Sequence, residues 1–246
     1  MKVFVVIPAA GLGTRMSAPA SGLKSKSKQF FELQGTPILI HTLRKFGECP
    51  RVSEIVVALR SNERASFESS VAREHFRKPV QIVEGGEHRQ DSVVNALRTL
   101  NAADDDIVLV HDAVRPFVDQ ETILGVIEGV QKYGAAIAGI PAIDTVKQVD
   151  RTADGAVVIA TVPREKMVMA QTPQGFRYGL IRKAFEEALA DGFVGTDEAS
   201  LIERSGGTVH VVMGSPRNIK ITTPADLDLA ELFISQDERR KVGPSG

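Results

Sequence analysis

A doubly wound, mostly parallel α/β sheet with an inserted β-arm is the architecture this sequence predicts, and three patterns point to it. Short apolar runs alternate with segments of helical periodicity from Val3 to Ile140. The first run, Val3–Ile7, is apolar without interruption, as a strand covered on both faces must be. Beyond Ile140 the rhythm changes to alternating apolar and polar residues around Asp154-Gly155, a hairpin signal.

The elements follow in order. Pro37–Phe46 carries Ile38, Leu39, Leu43 and Phe46 at helical spacing, and Glu54–Leu59 reads as a second strand. Asn62–Arg73 is a helix that asparagine could cap, and Pro79–Val83 is a third strand ending in Glu84-Gly85-Gly86. A helix from about His88 to Leu100 puts Val93, Val94 and Leu97 on one face. Ile107–Val110, a helix over Gln120–Lys132 and a strand over Ala135–Ile140 complete the alternating part. Strands over Thr145–Val149 and Ala156–Ala160 make the arm, which spans about 141–170, and Met167–Gln171 returns as a strand. Helices at about Arg177–Ala190 and Thr196–Glu203 precede a strand at Thr208–Val212. Thr223-Pro224-Ala225-Asp226 opens the last helix, with an N-cap candidate, proline at the first position and an acid in the first turn. One domain over 1–236, with a polar, frayed tail over 237–246, is the expected organisation.

Composition excludes several classes of function. The 246 residues carry 30 basic and 31 acidic side chains, so no global field attracts nucleic acid or an anionic membrane. No run approaches the ~18 apolar residues of a membrane helix, and Pro8, Gly11 and Arg15 break the N-terminal run too early for a signal peptide. Cys49 is the only cysteine, which rules out an internal disulfide and suits a reducing, cytoplasmic location. Any anion site must be local, and the bias is visible: Met1 to Phe31 holds five bases and no acid.

That first stretch runs from a strand into Pro8-Ala9-Ala10-Gly11-Leu12-Gly13-Thr14-Arg15-Met16, then into a loop with Lys24, Lys26 and Lys28. Small residues after a strand let a ligand approach backbone N–H groups, and bases just beyond suit a polyphosphate. A dinucleotide fingerprint is not met, because Met16 stands at the third glycine and Arg60, not an acid, follows the second strand. Nor is a P-loop, for want of a glycine–lysine–serine/threonine ending. A nucleoside triphosphate site fits better than a plain tight turn. Asp112, directly after a buried strand, is either a turn aspartate or the carboxylate that meets a metal or a ribose. A triphosphate-bound Mg²⁺ needs few protein ligands, so one carboxylate would suffice. Gly85-Gly86 followed by Arg89 and Ser92 is either a capped loop or a base pocket. Thr196-Asp197-Glu198 is a good N-cap sequence in its own right. Lys220 matters only if the fold returns it over the first loop.

Eight blocks in one order, PAAGLGTRM, KQF, GGEHRQDSV, VHDAVRPF, DTVK, QTPQGF, TDEAS and NIKITTPADL, resemble the 2-C-methyl-D-erythritol 4-phosphate cytidylyltransferases of the non-mevalonate isoprenoid pathway. The resemblance covers Met1 to about Phe233. It implies a Rossmann-like sheet of the nucleotidyltransferase type, CTP as co-substrate, Mg²⁺ dependence, and a homodimer in which the arm completes the partner's site. It also implies residue roles: Arg15, Lys28 and Lys220 around the α-phosphate, Asp112 at the metal, and Ala9, Ala10, Gly11, Gly86, Ser92 and Ala113 around the cytidine. Gly13 belongs to the same glycine loop, and Arg89 to the base loop. Thr145, Arg164 and Thr172 match positions that bind methylerythritol phosphate, with Thr196 beside them. The chain departs from the family pattern at Ser27, where proline is usual before the KQ lysine, so Lys24 or Lys26 could share the role of Lys28. The competing readings are a cytidylyltransferase for another polyol phosphate such as ribitol 5-phosphate, a nucleotide-binding module without catalysis, and an NAD-dependent oxidoreductase.

Overall fold

A computed structural model of the chain describes residues 1–11 and 27–242. Gly13, Arg15, Lys24 and Lys26 lie outside the described residues. In order the elements are β1 (Val3–Pro8), β2 (Glu32–Leu33), β3 (Thr36–Pro37), α1 (Ile38–Gly47), β4 (Glu54–Leu59), α2 (Ser61–Arg73), β5 (Val80–Glu84), α3 (Arg89–Leu97), β6 (Ile107–Val110), α4 (Gln120–Tyr133) and β7 (Ala135–Pro141). There follow β8 (Val146–Thr152), β9 (Gly155–Val162), β10 (Val168–Arg177), α5 (Tyr178–Ala190), α6 (Glu198–Arg204), β11 (His210–Met213) and α7 (Pro224–Val242).

Seven strands form one sheet in the order β11-β7-β10-β6-β1-β4-β5. All neighbours pair in parallel except β10, which runs antiparallel to both β6 and β7. β1 is an interior strand between β6 and β4, and its alternate side chains explain its unbroken apolar run. Val3, Val5 and Ile7 pack with Leu43 and Phe46 of α1 and Val126 of α4 in one core, whereas Phe4 and Val6 pack with Val93 of α3 and Phe185 of α5 in another. Each fully buried aliphatic or aromatic side chain contributes roughly 1.5–3 kcal/mol, so neither face tolerates a polar residue. A third, smaller cluster joins Leu33, Ile38, Val114, Phe117 and Ile221 to Ala230 of α7. This last contact folds the C-terminal helix back beside the strand ends.

Several local expectations need correction. Asn62 does not cap α2, because Arg60 occupies the N-cap position and Asn62 lies within the first turn. α6 starts at Glu198, capped by Asp197, whose Oδ1 accepts from the Ser200 N–H at 3.0 Å; Thr196 lies one residue before the cap. The arm turn is Ala153-Asp154, one residue earlier than Asp154-Gly155, because Gly155 at φ 141° already pairs with Thr152. A φ of that sign suits glycine. β10 runs on past Gln171 to Arg177, with a register shift between Ala170 and Gln174. Finally, α7 continues to Val242, so residues 237–242 of the expected tail are helical, and 243–246 lie outside the described residues. No helix among the described residues is long and apolar enough to cross a membrane.

Candidate active site

The carboxyl ends of β1, β5 and β6 meet at one cavity of about 140 Å³. Pro8 to Gly11 follow β1, Gly86 to Ser92 follow β5, and Asp112 to Val114 follow β6. Lys28 and Gln29 enter from the short turn Lys28–Phe30, and Lys220 from the segment before α7. Such a crevice outside the carboxyl ends of parallel strands is where open α/β sheets bind ligands.

Asp112 is the electrostatic centre. Its Oδ2 lies 3.0 Å from Lys220 Nζ and 3.1 Å from Arg115 Nε, and its Oδ1 lies 3.6 Å from Arg89 Nε. Burial alone would raise this carboxyl, but Lys220, Arg89 and Arg115 together hold it well below the usual carboxylate range. It is therefore ionised at any physiological pH. The long-range return of Lys220 has a simple backbone cause: the Ile221 N–H donates to the Val114 carbonyl at 2.9 Å, two residues beyond Asp112. Arg115 reinforces it by donating to the Asn218 carbonyl at 2.7 Å.

The ends of β1 are tied down in the same way. Gln29 Nε2 donates to the Ala9 carbonyl at 2.6 Å, and Arg60 Nε donates to the Ala10 carbonyl at 2.7 Å. An ideal Cβ on Gly11 would meet no atom of the described residues within 4 Å. The two glycines after β5 have another purpose. A Cβ on Gly85 would come 2.5 Å from the Ala10 Cβ, and one on Gly86 2.1 Å from the Asp91 Cβ. Their absence of side chain lets the base loop pack onto the first loop and onto its own helix. Ser92, buried, accepts from the Gly86 N–H at 3.0 Å and donates to the His88 carbonyl at 3.1 Å, bracing this loop. Its hydroxyl retains one acceptor lone pair for a ligand.

Four side chains escaped the sequence reading. Glu198, buried at 2% exposure, receives a two-pronged pair from Arg89, with Nη2 donating to Oε2 at 3.0 Å. Burial raises the Glu198 carboxyl, and the Arg89 guanidinium opposes that shift only in part. Arg89 thus lines the cavity while bridging Glu198 and Asp112. His111, fully buried, is lowered to about 4 because burial disfavours its charged form. Its Nδ1 lies 3.0 Å from Thr172 Oγ1 and its Nε2 3.1 Å from the Arg115 carbonyl. Arg115 and Gln29 complete the set. Glu198 stands inside the quoted TDEAS block, but nothing in local sequence pairs it with Arg89, 109 residues away along the chain. Gln29 and Arg115 stood inside quoted motifs and were passed over for their charged neighbours.

The expected site residues divide cleanly. Ala9, Ala10, Gly11, Lys28, Gly86, Arg89, Ser92, Asp112, Ala113 and Lys220 all line the one cavity. Thr145, Arg164, Thr172 and Thr196 do not line it. Thr172 is adjacent, its hydroxyl accepting from the Asp112 N–H at 3.1 Å. Thr145 and Thr196 are exposed, and Arg164 is exposed on the arm, where Nη1 donates to the Ile143 carbonyl at 2.9 Å. Among the described residues no group of three or more His, Cys, Asp or Glu side chains could hold a metal ion.

A mostly parallel sheet whose strand ends gather small-residue backbone, two lysines and an ionised aspartate defines the class: a nucleotidyltransferase-type α/β enzyme. Comparison with known proteins narrows it. The family model described as 2-C-methyl-D-erythritol 4-phosphate cytidylyltransferase matches residues 3–236. A protein of that name from Acidobacterium capsulatum is 56% identical over 240 residues, covering 98% of this chain and 100% of its own length. Another from Solibacter usitatus is 52% identical, covering 98% of this chain and 99% of its own. The crystal structure of the 4-diphosphocytidyl-2C-methyl-D-erythritol synthase from Anaerococcus prevotii superposes with a TM-score of 0.80 at 30% identity, covering 95% of this chain and 98% of that one. The chain belongs to the 2-C-methyl-D-erythritol 4-phosphate cytidylyltransferase family.

Proposed function

We propose that this chain transfers the cytidylyl group of CTP to 2-C-methyl-D-erythritol 4-phosphate, releasing pyrophosphate. The observation that carries the reading is the convergence of Lys28, Lys220 and ionised Asp112 on the cavity beside the Ala9–Gly11 backbone. A phosphate oxygen of the acceptor attacks the α-phosphorus of CTP in line, and the bond from that phosphorus to the bridging oxygen of pyrophosphate breaks. The attacking oxygen is already anionic, so no general base is needed. What must be overcome is repulsion between two anions and the charge that grows on the α-phosphate and leaving group. Lys28 and Lys220 counter both, with Asp112 holding the Lys220 ammonium in place. Arg15 joins them in this reading, as the family pattern implies.

A divalent metal fits the donor set. Asp112 is ionised and its Oδ1 has, among the described residues, one ion-pair contact, at 3.6 Å to Arg89, so it can serve as the single protein ligand beside triphosphate oxygens. Bound there, Mg²⁺ would neutralise charge on the triphosphate. The cytidine would lie against Ala9, Ala10, Gly11, Gly86, Ser92 and Ala113, where backbone groups select the amino and carbonyl edges of cytosine.

The arm belongs to the same reading. Val157, Val158 and Ile159 are more than half exposed, as is Met169 at the base of the arm. A second copy of the chain would cover them, making a homodimer in which Thr145 and Arg164 reach the partner's cavity and bind methylerythritol phosphate, with Thr172 and Thr196 at its edge. The lone, buried Cys49 accords with a cytoplasmic enzyme.

The test is pyrophosphate release from CTP and Mg²⁺ with methylerythritol 4-phosphate and ribitol 5-phosphate in parallel. Release with the first acceptor and not the second is expected, with UTP a poor donor. Release only with ribitol phosphate would reassign the acceptor side. Silence with both, in a protein that binds CTP, would leave a binding module.

A further inference from the structure

The side chain that follows from Glu63 does not border the cavity, yet it is wired to a residue that does. Ser27, buried, precedes Lys28, and its Oγ donates to Glu63 Oε1 at 2.5 Å. Four residues on, and so on the same face of α2, Phe67 meets the ring of Phe30 edge-on at 5.8 Å. The first two turns of α2 thus grip the Lys28–Phe30 turn at both ends. The same helix holds the end of β1 as well, because Arg60, at its N-cap, donates to the Ala10 carbonyl. Ala10, which lines the cavity, and Ser27, which precedes the lining Lys28, are therefore anchored three residues apart at the start of one helix, to Arg60 and Glu63. Glu63 suits the place, since an acid in a first turn is favoured by the helix dipole. Its second oxygen, Oε2, is buried and makes no hydrogen bond among the described residues, where the carboxylate's side-chain partner is Ser27. A buried acceptor spent on a single hydroxyl is costly unless that bond fixes something.

We propose that Glu63 is a positioning residue for Lys28, acting through the Ser27 hydroxyl. The inference rests on the proposed role of Lys28 at the α-phosphate. The Ser27 backbone, at φ −60° and ψ 139°, is the conformation that a hydroxyl latch must hold and that proline holds covalently. This supplies a rescue that a merely structural carboxylate would not allow.

The experiment is a variant set in the full chain, with turnover, KM for CTP, thermal midpoint and amide exchange read together. Glu63→Ala and Ser27→Ala are each expected to lower kcat about tenfold, because displacing a catalytic group by a fraction of an ångström is enough. KM for CTP should stay within about threefold, since the loss falls on the transition state. The double variant should be no worse than either single one, as expected of one coupled pair. Glu63→Gln, whose amide oxygen can still accept, should keep most of the activity. Ser27→Pro should restore turnover in the Glu63→Ala background. The Phe30 N–H, which donates to the Ser27 carbonyl at 2.9 Å, should exchange faster in Glu63→Ala. Unchanged exchange at Phe30, additive losses in the double variant, or failure of Ser27→Pro to rescue a folded Glu63→Ala protein would each overturn the proposal. Faster exchange with full turnover in both Glu63→Ala and Lys28→Ala would show instead that the reading of Lys28 is at fault.

Discussion

The cavity end of the sheet and the β8–β9 arm are built on opposite terms. Around the cavity, side chains from distant parts of the chain hold one another: Asp112 touches Lys220, Arg115 and Arg89, and Arg89 continues to Glu198. Along the arm, the side-chain bonds stay local, Lys147 to Thr161 and Arg164 to the Ile143 carbonyl, while Val158 and Ile159 stand 57% and 51% exposed. The first region is preorganised by its own fold, which is what electrostatic stabilisation of a growing charge requires. The second has a shape but no packed face, so its chemistry depends on what covers it.

The largest expected effect falls where the wiring is densest. Lys28→Ala and Lys220→Ala should each lower turnover at least a hundredfold, on the order of 3–4 kcal/mol in the transition state, and Lys220→Ala should also lower the thermal midpoint, because it leaves the buried Asp112 short of a partner. Near-normal turnover in either folded variant would remove that lysine from the α-phosphate.

Acid should expose the same region through His111. Its folded-state value, about 4, lies below the ordinary 6.5, so the unfolded chain takes up a proton first as pH falls. Stability is therefore flat above about pH 6.5 and declines towards pH 4, by roughly 3 kcal/mol from this one group. Urea titrations of metal-free protein across that range check it, and His111→Gln should flatten the decline.

The arm should respond more mildly and through the acceptor alone. Arg164→Ala is expected to raise KM for methylerythritol phosphate about tenfold, the scale of one charge-assisted hydrogen bond, and to leave KM for CTP unchanged. An equal rise for both substrates would place Arg164 at the nucleotide instead. Smallest of all should be the effect of Ile159→Ser on the stability of the isolated chain, within about 0.5 kcal/mol, as for any unpacked surface position. The same substitution should weaken self-association in sedimentation equilibrium. A loss of fold stability with association intact would mean that the arm packs on its own chain.

Much of the fold was legible because period and composition carry it. Val3–Ile7 announced an interior strand by having no polar side, and Thr223-Pro224-Ala225-Asp226 announced a helix start that the structure keeps, with Asp226 Oδ2 accepting from the Thr222 and Thr223 N–H groups. Boundaries were less legible where two good signals lay side by side. Thr196 and Asp197 are both capping residues, and which one caps depends on the tertiary position of α6, whose buried face packs beside α5.

By itself the sequence determined the alternation of strands and helices, the hairpin, and the gathering of small residues and bases after the first strand, because these follow from local periodicity and backbone freedom. Only the tertiary structure decided that Lys220 reaches Asp112 from 108 positions further along the chain, that Glu198 anchors Arg89, and that paired glycines serve close packing. Side-chain contacts between residues far apart in the chain have no local signature. They exist once parallel strands bring their carboxyl ends to one edge and α7 folds the last segment back across it.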